Sequence, residues 1–265
     1  MTGKIRIAVG LEYDGTAYAG WQTQRASPAI QSLVEGALSP VAAAPVSLIC
    51  AGRTDAGVHA CGQVAHFDTD ARRSARGWIL GANTALPNDI NVTWARPVPR
   101  HFHARYSAEA RTYRYYVFNR PVRSALAARS AAWVRQPLDH ERMQSSTTAL
   151  LGSHDFSAFR SAESQGHSPV RRVEALSVAR QGDFVLIEVT ANAFLHHMVR
   201  NIAGLLIAIG QGDKDPDWAK SVLASKDRTQ AGPTASAEGL YLWCVRYPRG
   251  FKLPAMRSAM IAALH

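Results

Sequence analysis

Ile5, Ile7, Val9 and Leu11 alternate with Arg6, Ala8, Gly10 and Glu12, the two-residue period of a strand with one face buried. Asp14-Gly15 ends the run. Ser27 and Pro28 supply an N-cap and a first helical position, and Ile30, Leu33, Val34 and Ala37 follow at helical spacing. Strand-like runs at 46–50 and 64–67 come next, then a helical stretch near 71–80 and a strand at 90–94. A connector rich in Pro and His, 96–105, closes this half.

The second half opens with residues 111–118 (RTYRYYVF), aromatic and β-branched, hence a strand. Asp139 heads a helix that runs to about 151. Residues 173–179 and 184–190 form a strand pair across the turn Gln181-Gly182-Asp183. A helix near 195–209, a short one near 217–224 and a last strand at 240–247 precede an irregular tail. No repeat is visible by residue identity. Short βα units with hairpin-like connections predict an α+β architecture with mixed or antiparallel sheets, not a doubly wound parallel one. The connector sets the expected division: an N-terminal subdomain at 1–105, a C-terminal subdomain at 106–248 and a tail at 249–265.

A chain of 265 residues, 47% of them hydrophobic, fits one large domain or a pair. Lys and Arg number 30 against 20 Asp and Glu, a formal net charge of +10. That balance favours a polyanionic partner, nucleic acid ahead of a membrane surface, with a merely solubilising surface as the alternative. Cys50, Cys61 and Cys244 lack metal-ligand spacing and point to a reducing compartment. The N-terminus lacks a signal-like apolar region, and the best apolar run, 203–209, is far below the ~20 residues that span a bilayer. The expectation is a cytoplasmic protein with no membrane partner.

Candidate chemistry centres on residues 51–60 (AGRTDAGVHA). Asp55 sits between two glycines, two residues after Arg53, where a strand hands over to a turn. A carboxylate held there beside a cation suits catalysis; a simple turn-former is the alternative. Arg200 lies in the apolar helix LHHMVRNIAGLL, whose core face carries Leu195, Met198, Val199, Ile202, Leu206 and Ile209. His197, Arg200, Asn201, Gly204 and Ala208 share another face, with Gly204 and Ala208 leaving room for a close neighbour. An arginine there wants a carboxylate, since breaking a buried pair costs roughly 3–5 kcal/mol; a structural pair or a snorkelling side chain fits as well. Tyr113, interleaved with Arg111 and Arg114, suits base stacking or a core. Arg171-Arg172, with Arg160 nearby, suits phosphate contacts or a plain solvated surface. His101, His103 and the His196-His197 pair lack the company of a metal site, and neither a phosphate-binding loop nor a G-x-S-x-G elbow is present.

Residues 10–22 (GLEYDGTAYAGWQ), 51–67 (AGRTDAGVHACGQVAHF), 102–108 (FHARYSA), 111–116 (RTYRYY), 154–160 (HDFSAFR), 192–204 (NAFLHHMVRNIAG) and 238–242 (EGLYL) together resemble the tRNA pseudouridine synthase A family. The resemblance covers nearly the whole chain. It implies the pseudouridine synthase fold, two subdomains with packed helices around a central cleft. It also implies a homodimer acting on uridine at positions 38, 39 and 40 of the tRNA anticodon stem-loop, without cofactor or metal. In that reaction the C1′–N1 bond breaks, the uracil turns, and C5 rejoins the ribose. By resemblance Asp55 is the catalytic aspartate, Tyr113 stacks on the uracil and Arg200 pairs with the aspartate. Arg53 helps extrude or replace the base, and Leu240 lines the pocket. Arg111, Arg160 and Arg171 are further candidate RNA contacts. Ser164 and Ser236 depart from the Cys and Pro expected there, and the tail after Tyr247 matches nothing. Two other readings stay open: a non-catalytic RNA-binding or tRNA-folding protein, and a nucleic-acid hydrolase with Asp55 as general base. The second is weakened because no other carboxylate accompanies Asp55 in its motif.

Overall fold

Strand β1 (Ile5–Tyr13) shows how the first part of the chain folds. Its alternation predicts one buried face, yet Ala8 is as fully buried as Ile7, Val9 and Leu11. The second face is covered by Ala51, Val64, Phe102 and Ala104, with Trp94, Val98, Val245, Tyr247, Phe251 and Leu253 packed around them. Gly10 on that face has no alternative, because an added Cβ would stand 2.0 Å from the Trp94 Nε1. The computed structural model describes residues 3–24, 27–161 and 168–254. These form two compact units, one of residues up to Glu109 with those from Leu242 onward, the other Ala110–Tyr241.

In the first unit β1 lies between β3 (His59–Thr69) and β4 (Ile90–Val98), antiparallel to both, with Val9 opposite Ala65 and Ala95. The two-residue β2 (Ile49–Cys50) pairs with β3. Helices α1 (Ile30–Ala42) and α2 (Ala75–Ala85) pack against each other, and α2 against β4. The predicted Ser27-Pro28 start of α1 does not hold. The helix begins two residues later, after the extended Ala29, with no side-chain cap. Its first donors are satisfied by backbone instead: Ile30 N–H donates to Gly20 O (3.1 Å) and Gln31 N–H to Trp21 O (3.0 Å). Helix α2 starts at residue 75 rather than 71 because Ser74 caps it, accepting from Gly77 N–H.

The connector and tail are also more built than expected. Phe102 is fully buried, its ring 5.0 Å from Phe251 and 5.2 Å from Tyr247 between centroids. Tyr247 Oη donates to Ala104 O at 2.6 Å, and residues Arg249–Phe251 form a short 3-10 turn. Residues 255–265 of the expected tail lie outside the described residues, as does Ser164.

In the second unit β5 (Ala110–Asn119) pairs antiparallel with β9 (Phe184–Ala191), which pairs with β8 (Val170–Gln181), and β8 with β7 (Gly152–Asp155). The β8–β9 hairpin turns at Gly182, φ +56°, as the sequence predicts. Along its other edge β5 runs parallel to β6 (Ala132–Val134), so the pairing is mixed and the architecture α+β. Neither β6 nor β7 is legible in the sequence: one spans three residues, and the other is polar Gly-Ser-His-Asp. Helix α3 (His140–Ser146) is capped by Asp139, as expected, then tightens into a 3-10 turn at Thr147–Leu150. Helices α4 (Met198–Gly210) and α5 (Trp218–Ser225) follow, and the last strand, β10 (Leu240–Arg246), carries the chain from one unit to the other. Among the described residues no helix is long and apolar enough to cross a membrane.

His66, on β3 and 2% exposed, accepts a hydrogen bond at Nδ1 from Ala104 N–H. Burial, and then the positive charge of Arg6, hold its pKa down at about 4 against an ordinary 6.5. On acidification the unfolded chain therefore takes up this proton first. The stabilisation tied to neutral His66 is complete above pH 6.5 and is lost as pH falls toward 4. The denaturant midpoint is expected to fall through that window, and His66→Asn, which keeps an acceptor near Nδ1, to flatten the fall.

Candidate active site

Asp55 stands half-buried in a loop whose backbone is clamped from outside. Trp21 N–H donates to Thr54 O (3.0 Å) and Gly57 N–H to Tyr18 O (3.2 Å), while within the loop Val58 N–H donates to Asp55 O (3.2 Å). Two glycines of residues 10–22 make this approach possible. A Cβ on Gly20, whose φ is +94°, would stand 2.5 Å from Thr54 O and 2.9 Å from the Asp55 carbonyl carbon. One on Gly15 would meet Val58 O at 2.0 Å. Side chains brace the entry to the loop. Thr54 Oγ1 hydrogen-bonds Tyr13 Oη (2.9 Å), and Gln63 Nε2 donates to Gly52 O (2.6 Å). Gly57 takes φ +76°, a left-handed turn that suits glycine. The turn expected of this segment is present, and the half-buried Asp55 stands within it. Arg53 is exposed, and with Arg105 its charge opposes the burial that pushes the Cys50 thiol up to about 12.

In the second unit the odd-numbered residues of β5 share one face. Arg111 Nη1 donates to Asn192 O (2.9 Å), and Tyr113, 8% exposed, meets Phe194 edge-on with ring centroids 4.9 Å apart. Tyr115 Oη donates to Ser236 O (3.0 Å). Burial pushes the Tyr115 phenol up to about 12, and nearby Glu238 adds to this while Arg200 opposes it. Arg200 lies in the first turn of α4, its Nε donating to Ala235 O (2.8 Å) while Ala235 N–H donates to Arg200 O (3.1 Å). Gly204, one turn on, is where the 233–236 backbone presses closest: a Cβ would stand 2.0 Å from Pro233 O. The close neighbour expected there is this loop.

Helix α4 departs from the sequence reading in two ways. It starts at Met198 rather than Leu195, because His197 adopts φ +63° and breaks the helical path before it. Its second face is buried at Asn201 and Gly204 and half-buried at His197, Arg200 and Ala208. Asn201 is fully buried, donating to Phe159 O (2.8 Å) and accepting from Thr234 Oγ1 (2.7 Å) and Arg228 Nη2 (3.1 Å). These bonds tie α4 to both loops that flank Arg200.

The remaining predicted residues divide by role. Leu240 is buried at the start of β10, its N–H bonded to Ala237 O. Arg171 directs Nη1 to the carbonyls of Ser168 and Val170, both at 2.7 Å, and burial lowers its pKa. Arg160 is half-buried after the 3-10 turn Ser157–Phe159. Asn192 and Phe194 were not singled out from sequence. Asn192 Oδ1 accepts from Arg172 N–H and Ala193 N–H, both at 2.9 Å, so one side chain shapes the loop that receives Arg111 and carries Phe194. Both residues belong to the segment NAFLHHMVRNIAG, the only signal that could have found them.

The family model described as tRNA pseudouridine synthase matches residues 11–107 and 147–248. The chain belongs to the tRNA pseudouridine synthase family. A protein of Methylococcus capsulatus named tRNA pseudouridine synthase A is 57% identical over 249 residues, 94% of this chain and 92% of its own. One of the same name from Coxiella burnetii is 56% identical over 95% of this chain and 96% of its own. A third, from Pseudomonas aeruginosa, is 51% identical over 95% and 89%. Within the family match lie Arg53, Asp55, Arg160, Arg171, Arg200 and Leu240, while Arg111 and Tyr113 fall between the two matched stretches.

Gly20→Ala forces a side chain into a left-handed position already filled by the Asp55 loop. It is expected to lower the unfolding free energy by about 1–3 kcal/mol in denaturant titration. Gly36→Ala in α1, where nothing lies within 4 Å of the added Cβ, is the control and is expected to stabilise by up to about 1 kcal/mol.

Proposed function

We propose that this protein is a cytoplasmic enzyme that isomerises uridine to pseudouridine in tRNA, at positions 38, 39 and 40 of the anticodon stem-loop, acting as a homodimer. The observation that carries the reading is the Asp55 carboxylate on a loop clamped by Tyr18, Gly20 and Trp21, in a chain of this family. A carboxylate carried on a backbone that is already fixed has less to order when a ribose arrives.

A stacked uridine is out of reach, so the base must leave the helix at a cost of a few kcal/mol. Stacking on an aromatic ring returns about 1–3 kcal/mol, and Tyr113, held edge-on by Phe194, supplies that ring. Asp55 then starts the reaction, either by attack on C1′ or by removal of a ribose proton. In both routes the C1′–N1 bond breaks and its electrons stay on the uracil. After the ring turns, C5 bonds to C1′, as the Asp55–C1′ bond breaks in the first route or as the ribose takes its proton back in the second; the C5 proton then leaves to a base and N1 gains one. Nothing is oxidised or reduced, and substrate and product are isomers. Arg200 supplies the counter-charge to the carboxylate, and Leu240 an apolar wall for the base.

Incubation with unmodified tRNA carrying tritium at uracil C5 is expected to release tritium and give pseudouridine by mass spectrometry. Absence of both overturns the proposal. Asp55→Asn is expected to reduce turnover to background with tRNA affinity within a few-fold of wild type. Turnover surviving in that variant would remove Asp55 from the chemistry.

A further inference from the structure

Residues 120–135 (RPVRSALAARSAAWVR) carry four arginines and no acidic residue. They lie between the two stretches matched by the family model, which assigns them nothing. Arg120 is committed to the local structure: its guanidinium lies 4.8 Å from the Phe118 ring centroid, Nε donates to Val122 O, and Asp183 stands 3.7 Å away. Arg123, Arg129 and Arg135 are exposed, with no hydrogen-bond or ion-pair partner among the described residues. Beside them stand Trp133, with part of its ring exposed, and Leu126, 98% exposed.

The segment is braced rather than loose. Trp133 Nε1 donates to Arg120 O (2.8 Å), and Tyr241 Oη donates to Ser130 O (2.9 Å). Ser130 and Ala131 N–H both donate to Ala127 O, and Asn119 Nδ2 donates to Val134 O and Gln136 O. Three unpaired cations and an exposed indole on one segment, whose backbone is already ordered, have the chemistry of a nucleic-acid backbone site. A second copy of this chain fits worse, because a symmetric contact would gather two copies of a segment with four arginines and no acidic residue into one patch. Trp133 pairs in register with Phe118, five residues along β5 from Tyr113. At about 3.3 Å per residue that is roughly 16 Å, too far to reach the nucleotide that Tyr113 would stack.

We infer that residues 120–135 are a second RNA-contact surface, which grips the phosphate backbone of the tRNA away from the reacting uridine through Arg123, Arg129 and Arg135. The inference rests on the proposed tRNA substrate. It predicts a surface that sets affinity and leaves the chemical step alone.

The test compares full-length tRNA binding and turnover for wild type, for Arg123→Gln/Arg129→Gln/Arg135→Gln, and for the matching triple Lys variant. The Gln variant is expected to raise KM and Kd at least about tenfold near 0.15 M salt, with kcat within twofold. The slope of log affinity against log salt should shrink by about 2–3, as three lost phosphate contacts require. The Lys variant should restore the slope, since a point charge suffices for a phosphate. An unchanged Kd and slope in the Gln variant overturns the inference. So does a change in sedimentation with RNA affinity intact, which would make the segment a protein interface. A wild type that binds tRNA but forms no pseudouridine overturns the proposed function alone, because the salt slopes still decide the role of the segment.

Discussion

The first unit depends on one backbone contact, the approach of residues 15–21 to residues 54–58. Gly20 and Trp21 serve two elements at once, accepting from the first donors of α1 on one side and, through Trp21 N–H, holding Thr54 O on the other. The contact is close enough that neither Gly15 nor Gly20 tolerates a Cβ. A carboxylate loop attached in this way cannot shift without uncapping a thirteen-residue helix. The position of the Asp55 loop is therefore a property of the unit, fixed by backbone hydrogen bonds and close glycine contacts.

The second unit solves a similar problem by other means. The carbonyls of Phe159 and Gly232 have no strand to complete, so they are met by side chains of a polar cluster built around the buried Asn201. Asn201, Arg228 and Thr234 satisfy one another and the carbonyls of Phe159 and Gly232. Such a network is costly when half made and rigid when complete. Arg200 and Tyr115 join its edge through Ala235 and Ser236, neighbours in one loop.

Much of this was legible. The alternation of β1, the β8–β9 hairpin, the strand around Tyr113 and the α+β class follow from local patterning, and Asp55, Tyr113 and Arg200 stand out by residue type and company. What was not legible depends on partners distant in sequence. The double burial of β1 requires residues 245–253, and the start of α1 requires carbonyls ten residues upstream. The burial of Asn201 escapes periodicity, which records apolar positions and ignores an amide whose hydrogen bonds come from residues 159, 228 and 234. Phe194 and Asn192 carry no signal beyond the segment they belong to, since their contacts come from Tyr113 and from Arg172 on a neighbouring strand.

The charge balance shows the same limit more sharply. A net charge of +10 pointed to a polyanion, but many of these arginines donate first to the protein's own backbone. Arg100 bonds Lys4 O, Arg171 the carbonyls of Ser168 and Val170, and Arg180 Leu138 O. A guanidinium has five donors and a charge that does not titrate away near neutrality, so it can close a loop and remain a cation. Pairing with a carboxylate is different: Arg6 with Asp68 and Arg114 with Glu188 cancel locally and add little to the field around the molecule. The electrostatic reach of the surface is therefore set by arginines that bond carbonyls or water, a subset that a residue count cannot separate from the rest.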